Sequence, residues 1–439
     1  MTTRSLARGG LVVVLSAGAG AMTGAAIGLV TDITSRSDVS FGGMTLRGNG
    51  ALIVPALLLP LAIAVGTVLV GRVLVGSTRW FAVPAWILAL VFGLWFAGAT
   101  LPAVRAAAET GRVNHTATLL SDGRVLVAGG GYDAATARAT LYDPVRNEWI
   151  PVASMTRPRV MHSPVRLSDS RVLVVGGEFP GSLQTAEVFD PRSGSWTLIE
   201  GRRSLRSTVV AAALPDGRVV VAGATTPGGN VSAEIYDPRS GSWSTLATIP
   251  QLRQVLALEA SASETIVAVG YGESQAVLIR TGDGSVTPLG AITGALVAAV
   301  PLSQGRMLVF TGPQHGEGGL VGAVINAASK VDVASASVRR YDITAVYIPD
   351  GFVLLAGGNQ VSGSPPLGRP VSDAELLDLS TGQWSRVPPM HDARTGHTYT
   401  NLADGRVMVI GGANRSGPLA TAEIFDPRTR SWTVAAALR

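Results

Sequence analysis

No cysteine occurs among the 439 residues. Disulfides, thiolate metal ligands, cysteine nucleophiles and cysteine-derived cofactors are therefore excluded. Lysine is almost absent as well, with Lys330 alone beside 34 arginines. Acids are scarce at one end: of 30, only Asp32, Asp38 and Glu109 precede residue 112, where seven arginines lie. The net charge of +5 thus collects near the N-terminus, while beyond residue 111 the 27 arginines and Lys330 face 27 acids. A nearly neutral remainder without a basic helix or aromatic-basic interleaving gives no case for nucleic acid. Phosphate-loop and nucleophile-elbow patterns are also missing.

What the first hundred residues do contain is three apolar runs, at about 10–30, 51–70 and 80–101. Each has roughly 20 residues, enough at 1.5 Å per residue to cross a hydrocarbon core of about 30 Å. Residues 1–103 are thus expected to form a membrane domain of three transmembrane α-helices, with the lipid bilayer as partner. Gly20, Gly24 and Gly28 give the first a smooth face for helix packing, and Trp80, Phe81, Trp95 and Phe96 lie where aromatic belts form. Arginines are balanced across the two sides. Arg4 and Arg8 directly before the first run, in a pattern resembling a signal peptide, favour a multi-pass cell-membrane protein whose C-terminal part is extracytoplasmic.

Beyond residue 110 the chain repeats itself. "HTATLLSDGRVLVAGG" (115–130) returns as "HTYTNLADGRVMVIGG" (397–412), identical at 11 of 16 positions. Intermediate copies begin near residues 156, 203, 250, 293 and 339, close to a 47-residue period, which makes seven. Asp-Gly or an equivalent turn precedes each "RVLV"-like strand. Asp-Pro marks Asp143, Asp190, Asp237 and Asp426, and a tryptophan follows at Trp149, Trp196, Trp243, Trp384 and Trp432. Each copy carries four short strand-like runs divided by turn chemistry. Four-stranded units repeated seven times predict a propeller, because one small sheet cannot bury both of its faces alone.

The order "DGRVLVAGG", then Tyr or Phe before Asp-Pro, then Trp, resembles the kelch repeat in the bacterial form related to the central propeller of galactose oxidase. The resemblance covers 111–439 and is specific in copies 1, 2, 3, 6 and 7; copies 4 and 5 are inferred from spacing. The fold expected is all-β, a seven-bladed kelch-type β-propeller preceded by three transmembrane α-helices. Copper radical chemistry of the galactose oxidase kind needs a cysteine crosslinked to tyrosine. None is present, so no cofactor is expected.

Two registers stand out. Arginine recurs ten residues before the first turn, at Arg112, Arg159, Arg206, Arg253, Arg340 and Arg394, and histidine three residues after it at His115, His162 and His397. Both fall at the start of the first strand, which the kelch resemblance makes innermost. One reading is an electropositive channel mouth for a protein or anionic ligand, using the bidentate guanidinium fork. The other is structural: Glu187, Glu234, Glu375 and Glu423 recur in the third strand, and such pairs let charges survive burial. For the histidines, repeat consensus stands against a three-histidine metal site; no carboxylate is registered beside them, and no metal is expected.

The function expected is a binding or interaction module, with an enzyme acting on carbohydrate or other cell-surface material as the rival. In a four-strand meander the first lead-in and the second-to-third loop share one face. That face also carries the longest insertion, "NQVSGSPPLGRPVSD" (359–373), and is the expected recognition face.

Overall fold

The computed structural model describes residues 38–41, 44–47 and 111–438, apart from 133, 179–183, 201–208, 226–228, 273–274, 290–291, 293, 313–319, 327–329, 334–339 and 363–366. The three apolar runs expected to cross a membrane lie outside these residues. Among the described residues no helix is long and apolar enough to do so. Asp38–Phe41 and Met44–Arg47 pair as an antiparallel hairpin. Everything that follows concerns a second compact unit, Thr110–Asn414 with Pro418–Arg439.

Local chemistry makes the strands of this unit. In the tight first turn the chain reverses over three residues, as where Leu120 N–H donates to Arg124 O at 2.8 Å and Gly123 N–H to Leu120 O at 3.1 Å. Gly123 sits at φ +86°, a region where an L side chain is strained. The Asp122 carboxylate accepts from Arg124 N–H and from its guanidinium, fixing the turn from both sides. In the second turn Asp143, Asp190 and Asp237 accept main-chain N–H bonds from two residues ahead, as Asx turns do.

Seven four-stranded antiparallel meanders result, each in sequence order. Their first strands are Thr116–Leu119, Ser163–Arg166, Val209–Ala213, Leu252–Ala260, Ala295–Ser303, Thr344–Ile348 and Thr398–Asn401. Each touches the first strand of the blade before and after it, and the seventh touches the first, so the ring is closed with the first strands innermost. Apolar side chains divide into seven clusters, one for each joint between neighbouring blades. This explains why the second strands do not alternate. Val125, Leu126, Val127 and Ala128 are all at most 1% exposed, because that strand has a strand on either side and a blade on either face.

Copies 4 and 5, which lack the diglycine, Asp-Pro and Trp landmarks, nevertheless form full four-stranded blades with longer inner strands of nine residues each. The insertion in copy 6 is more ordered than a loop: Asn359–Ser362 pairs with Leu367–Pro370 and with Arg340–Tyr341 to make a small three-stranded sheet.

Candidate functional site

Closure of the ring depends on the two registers. The lead-in arginine presents its main-chain carbonyl to the preceding blade: Gly130 N–H donates to Arg159 O at 2.8 Å, Gly358 to Arg394 O at 2.9 Å, and Gly412 to Arg112 O at 2.8 Å. Its side chain turns back into its own blade. Arg159 Nη1 donates to Gly176 O (2.8 Å) and Thr185 O (3.0 Å); Arg394 Nη1 to Gly411 O (2.8 Å) and Thr421 O (3.1 Å); Arg340 Nη1 to Gly357 O (3.1 Å) and Asp373 O (2.9 Å). These carbonyls flank the second-to-third loop, where the ladder has opened, and a buried carbonyl needs a donor. The planar fork supplies it.

The third-strand glutamates complete the arrangement in two blades. Arg159 Nη2 lies 2.9 Å from Glu187 and Arg394 Nη2 2.7 Å from Glu423, with these four side chains at most 1% exposed. Each carboxylate also accepts two N–H bonds from the lead-in, Thr156 and Arg157 on Glu187, His391 and Asp392 on Glu423. Those bonds and the guanidinium hold Glu423 below the usual carboxylate range against the upward push of burial. In the first blade Thr140 stands in the glutamate position and bonds to Ile150 O instead. Arg112 donates to Arg138 O, and burial with the nearby Arg138 charge lowers it to about 10.

Arg112, Arg159, Arg340 and Arg394 are therefore enclosed in the joints, at most 3% exposed, and differ from a set of forks open at a channel mouth. Carbonyl demand inside each joint draws them inward. Arg253, in blade 4, is exposed and donates to Asn230 Oδ1 at 2.7 Å and Pro250 O at 3.1 Å. Arg206 lies outside the described residues.

The histidines are distributed one per joint. His162 Nε2 meets Thr116 Oγ1 of the preceding blade at 2.9 Å, and His115 Nε2 meets Thr398 Oγ1 at 2.9 Å. His397 packs edge-on against Tyr399. Each ring lies against the first glycine of the preceding diglycine. A Cβ on Gly129 would come 2.6 Å from His162 Cε1, on Gly357 2.8 Å from His397 Cε1, and on Gly411 2.8 Å from His115 Cε1. Burial, reinforced by the neighbouring arginine, lowers all three to about 3, so they are neutral at physiological pH. Among the described residues no three His, Asp or Glu side chains are gathered as a metal would require.

Tryptophan closes the outer part of the joints. Trp149 Nε1 donates to Ala436 O, Trp196 to Ala153 O and Trp432 to Pro388 O, each reaching the end of the blade before. Each also stacks at about 5 Å on the aromatic residue preceding Asp-Pro in its own blade, as Trp196 does on Phe189.

A different set of residues is exposed on the loop face. The position two after the lead-in arginine has positive φ in four blades: Asn114 (55°), Met161 (54°), Asp342 (49°) and Gly396 (64°). Met161 N–H donates to Asn114 O at 3.0 Å, linking two of them directly. Six of the seven large hydrophobics exposed among the described residues lie at this end of the strands: Tyr132 (55%), Met161, Tyr271, Val321, Tyr341 and, on an outer strand, Val434. Sequence reasoning missed them. The available signal was the run Asn, Met, Asp, Gly in one register, three of which tolerate left-handed backbone while the fourth does not.

Comparison with known proteins agrees with this geometry. The kelch motif matches residues 335–391 and 401–439, which span blade 6 and the second to fourth strands of blade 7. Kelch-like protein 26 of Danio rerio is 33% identical over 88 residues, 20% of this chain and 14% of that protein. An F-box/kelch-repeat protein of Arabidopsis thaliana is 37% identical over 70 residues, 16% of this chain and 18% of that protein. This chain thus matches less than a fifth of the length of either relative. A fungal alcohol oxidase of the AA5 family, solved in complex with copper, aligns over 70% of this chain and 71% of its own with a TM-score of 0.57 at 19% identity, which shows the fold alone. Repeats and ring closure define the class, a seven-bladed β-propeller, and part of it, in blades 6 and 7, matches the kelch motif.

Proposed function

We propose that this protein is a membrane-anchored kelch propeller whose loop face binds another protein. The observation carrying the reading is that Tyr132, Met161, Tyr271, Val321 and Tyr341 all lie at one end of the ring, whereas among the described residues the tight-turn face exposes Val145 alone of the large hydrophobics. Tyrosine and methionine are enriched at interfaces, and tyrosine supplies a large contact area at small entropic cost. Met161 adds a strained backbone on the same rim, of the kind that clusters at functional sites. The kelch repeats shared with the relatives support an interaction role. The three apolar runs support anchoring, with the propeller on the extracytoplasmic side.

Copurification from solubilised membranes of the full-length chain, beside a Tyr132→Ala, Met161→Ala, Tyr341→Ala triple variant, tests the face. A partner retained by the wild type and lost by a variant of unchanged melting temperature supports it; equal retention overturns it. Anchoring is tested separately by extraction at alkaline pH, which releases peripheral proteins and leaves spanning ones in the membrane pellet. Protease added outside intact cells should cleave the propeller.

A further inference from the structure

The tight-turn face has a property that the protein-binding reading does not use. Two clefts open there, built from the same parts. One, of about 810 Å³ between blades 7 and 1, contains three carboxylates and three guanidiniums that pair off: Asp122 with Arg124 at 2.6 Å, Asp143 with Arg146 at 3.0 Å, and Asp404 with Arg406 at 2.7 Å. Its charge is balanced. The other, of about 680 Å³ and lined from blades 1, 2 and 3, has Arg166, Arg239 and one carboxylate, Asp216, which is taken at 2.6 Å by Arg218 beside it.

Arg166 is the source of the imbalance. It is the last residue of an inner strand, paired with Val172. The six residues in the same register around the ring are Leu119, Ala213, Ala260, Pro301, Tyr347 and Asn401, so Arg166 alone is charged. It is exposed, and Nη1 reaches Leu119 O only at 3.4 Å. Arg239 approaches from the second turn of blade 3 and touches Asp216 O at 3.4 Å. Ser121, Ser168 and Ser170 line the same cleft and bring hydroxyl donors.

We infer that this cleft binds a small ligand through a tetrahedral oxyanion, a phosphate or phosphomonoester. A carboxylate has two oxygens to offer, whereas a phosphate has three or more for two guanidiniums and three hydroxyls, and the guanidinium fork matches two of them at once. The neighbouring Asp169 does not cancel the field, since Arg171 pairs with it at 2.7 Å. This inference is independent of the loop face and survives or fails without it.

The test is titration of the full-length chain in detergent with inorganic phosphate at constant ionic strength, followed by phosphorus NMR. Saturable binding that weakens at least tenfold in Arg166→Ala, weakens less in Arg166→Lys, and is unchanged in Arg146→Ala at the balanced cleft supports the inference. Absence of saturable binding, or equal binding by wild type and Arg166→Ala, overturns it. Because Arg166 is exposed, melting temperature should be unchanged in the variant. A phosphate-bearing lipid has the same chemistry, so vesicles containing phosphatidic acid form a second arm. Arg166-dependent capture of those vesicles without binding of free phosphate would overturn the assignment to a soluble ligand.

Discussion

The N–H of Gly412 donates to the carbonyl of Arg112 at 2.8 Å, joining the last blade to the first across 300 residues of chain. It repeats the bond between Gly130 and Arg159, so the ring closes by one more copy of an ordinary joint. No strand is exchanged between the ends: Thr398–Asn401 through Ser431–Val434 make the seventh blade alone. Trp149 to Ala436 O and Asn147 Oδ1 from Ala436 N–H fasten its outer edge.

Gly411→Ala should open this joint. Its φ is +61°, and a Cβ would meet Arg112 O at 2.6 Å and His115 Cε1 at 2.8 Å. The left-handed backbone alone costs about 1–2 kcal/mol, and the contacts add to it. Gly405→Ala, at φ +86° with its nearest neighbour 3.7 Å away, is the control and should cost about 1 kcal/mol. Urea unfolding of the two variants checks the difference; equal midpoints would sink the joint model.

Glu187→Ala leaves the buried Arg159 guanidinium without its counter-charge, and the N–H groups of Thr156 and Arg157 without their acceptor, a loss that urea unfolding reads. Stranding a buried charge costs about 3–5 kcal/mol. Thr140, which already stands in this position in blade 1, offers the comparison: Thr140→Ala, losing one hydroxyl bond to Ile150 O, should cost about 1 kcal/mol.

Stability should fall as the pH drops below about 6.5. His115, His162 and His397 titrate at about 3 in the native state against 6.5 in the unfolded chain, so between those values the unfolded state binds more protons. Each contributes a slope of up to about 1.4 kcal/mol per pH unit in that window, fully relieved above it. Glu259 acts in the opposite sense: burial raises it from 4.5 to about 7, so its native form holds the extra proton and its contribution is lost as pH rises through that interval. Glu259→Gln should therefore steepen the acid-side fall, and His162→Gln should flatten it. Denaturant midpoints between pH 4 and 7 read both.

Met161→Asn should stabilise the fold. Methionine holds φ +54° there, which asparagine tolerates, and relief of about 0.5–1 kcal/mol is expected. Under the proposed function the same change weakens partner retention, because it removes an exposed apolar side chain from the rim. A variant that melts higher and binds equally well would remove Met161 from the interface.

The sequence by itself determined the repeat, its turns and its strand count, because Asp-Gly turns, the diglycine and Asp-Pro act through φ preferences and hydrogen bonds spanning a few residues. Spacing even located blades 4 and 5, whose consensus has decayed. The arginine register was visible too, with its glutamates, but whether the forks point inward or out was not. Tertiary structure decided that, since only closure of the ring buries Gly176 O, Thr185 O and their counterparts where a guanidinium must satisfy them. It likewise decided that Tyr132, Tyr271 and Tyr341 share a face and that Arg166 stands alone in its register, because neither neighbourhood exists until seven separate blades are set around one axis.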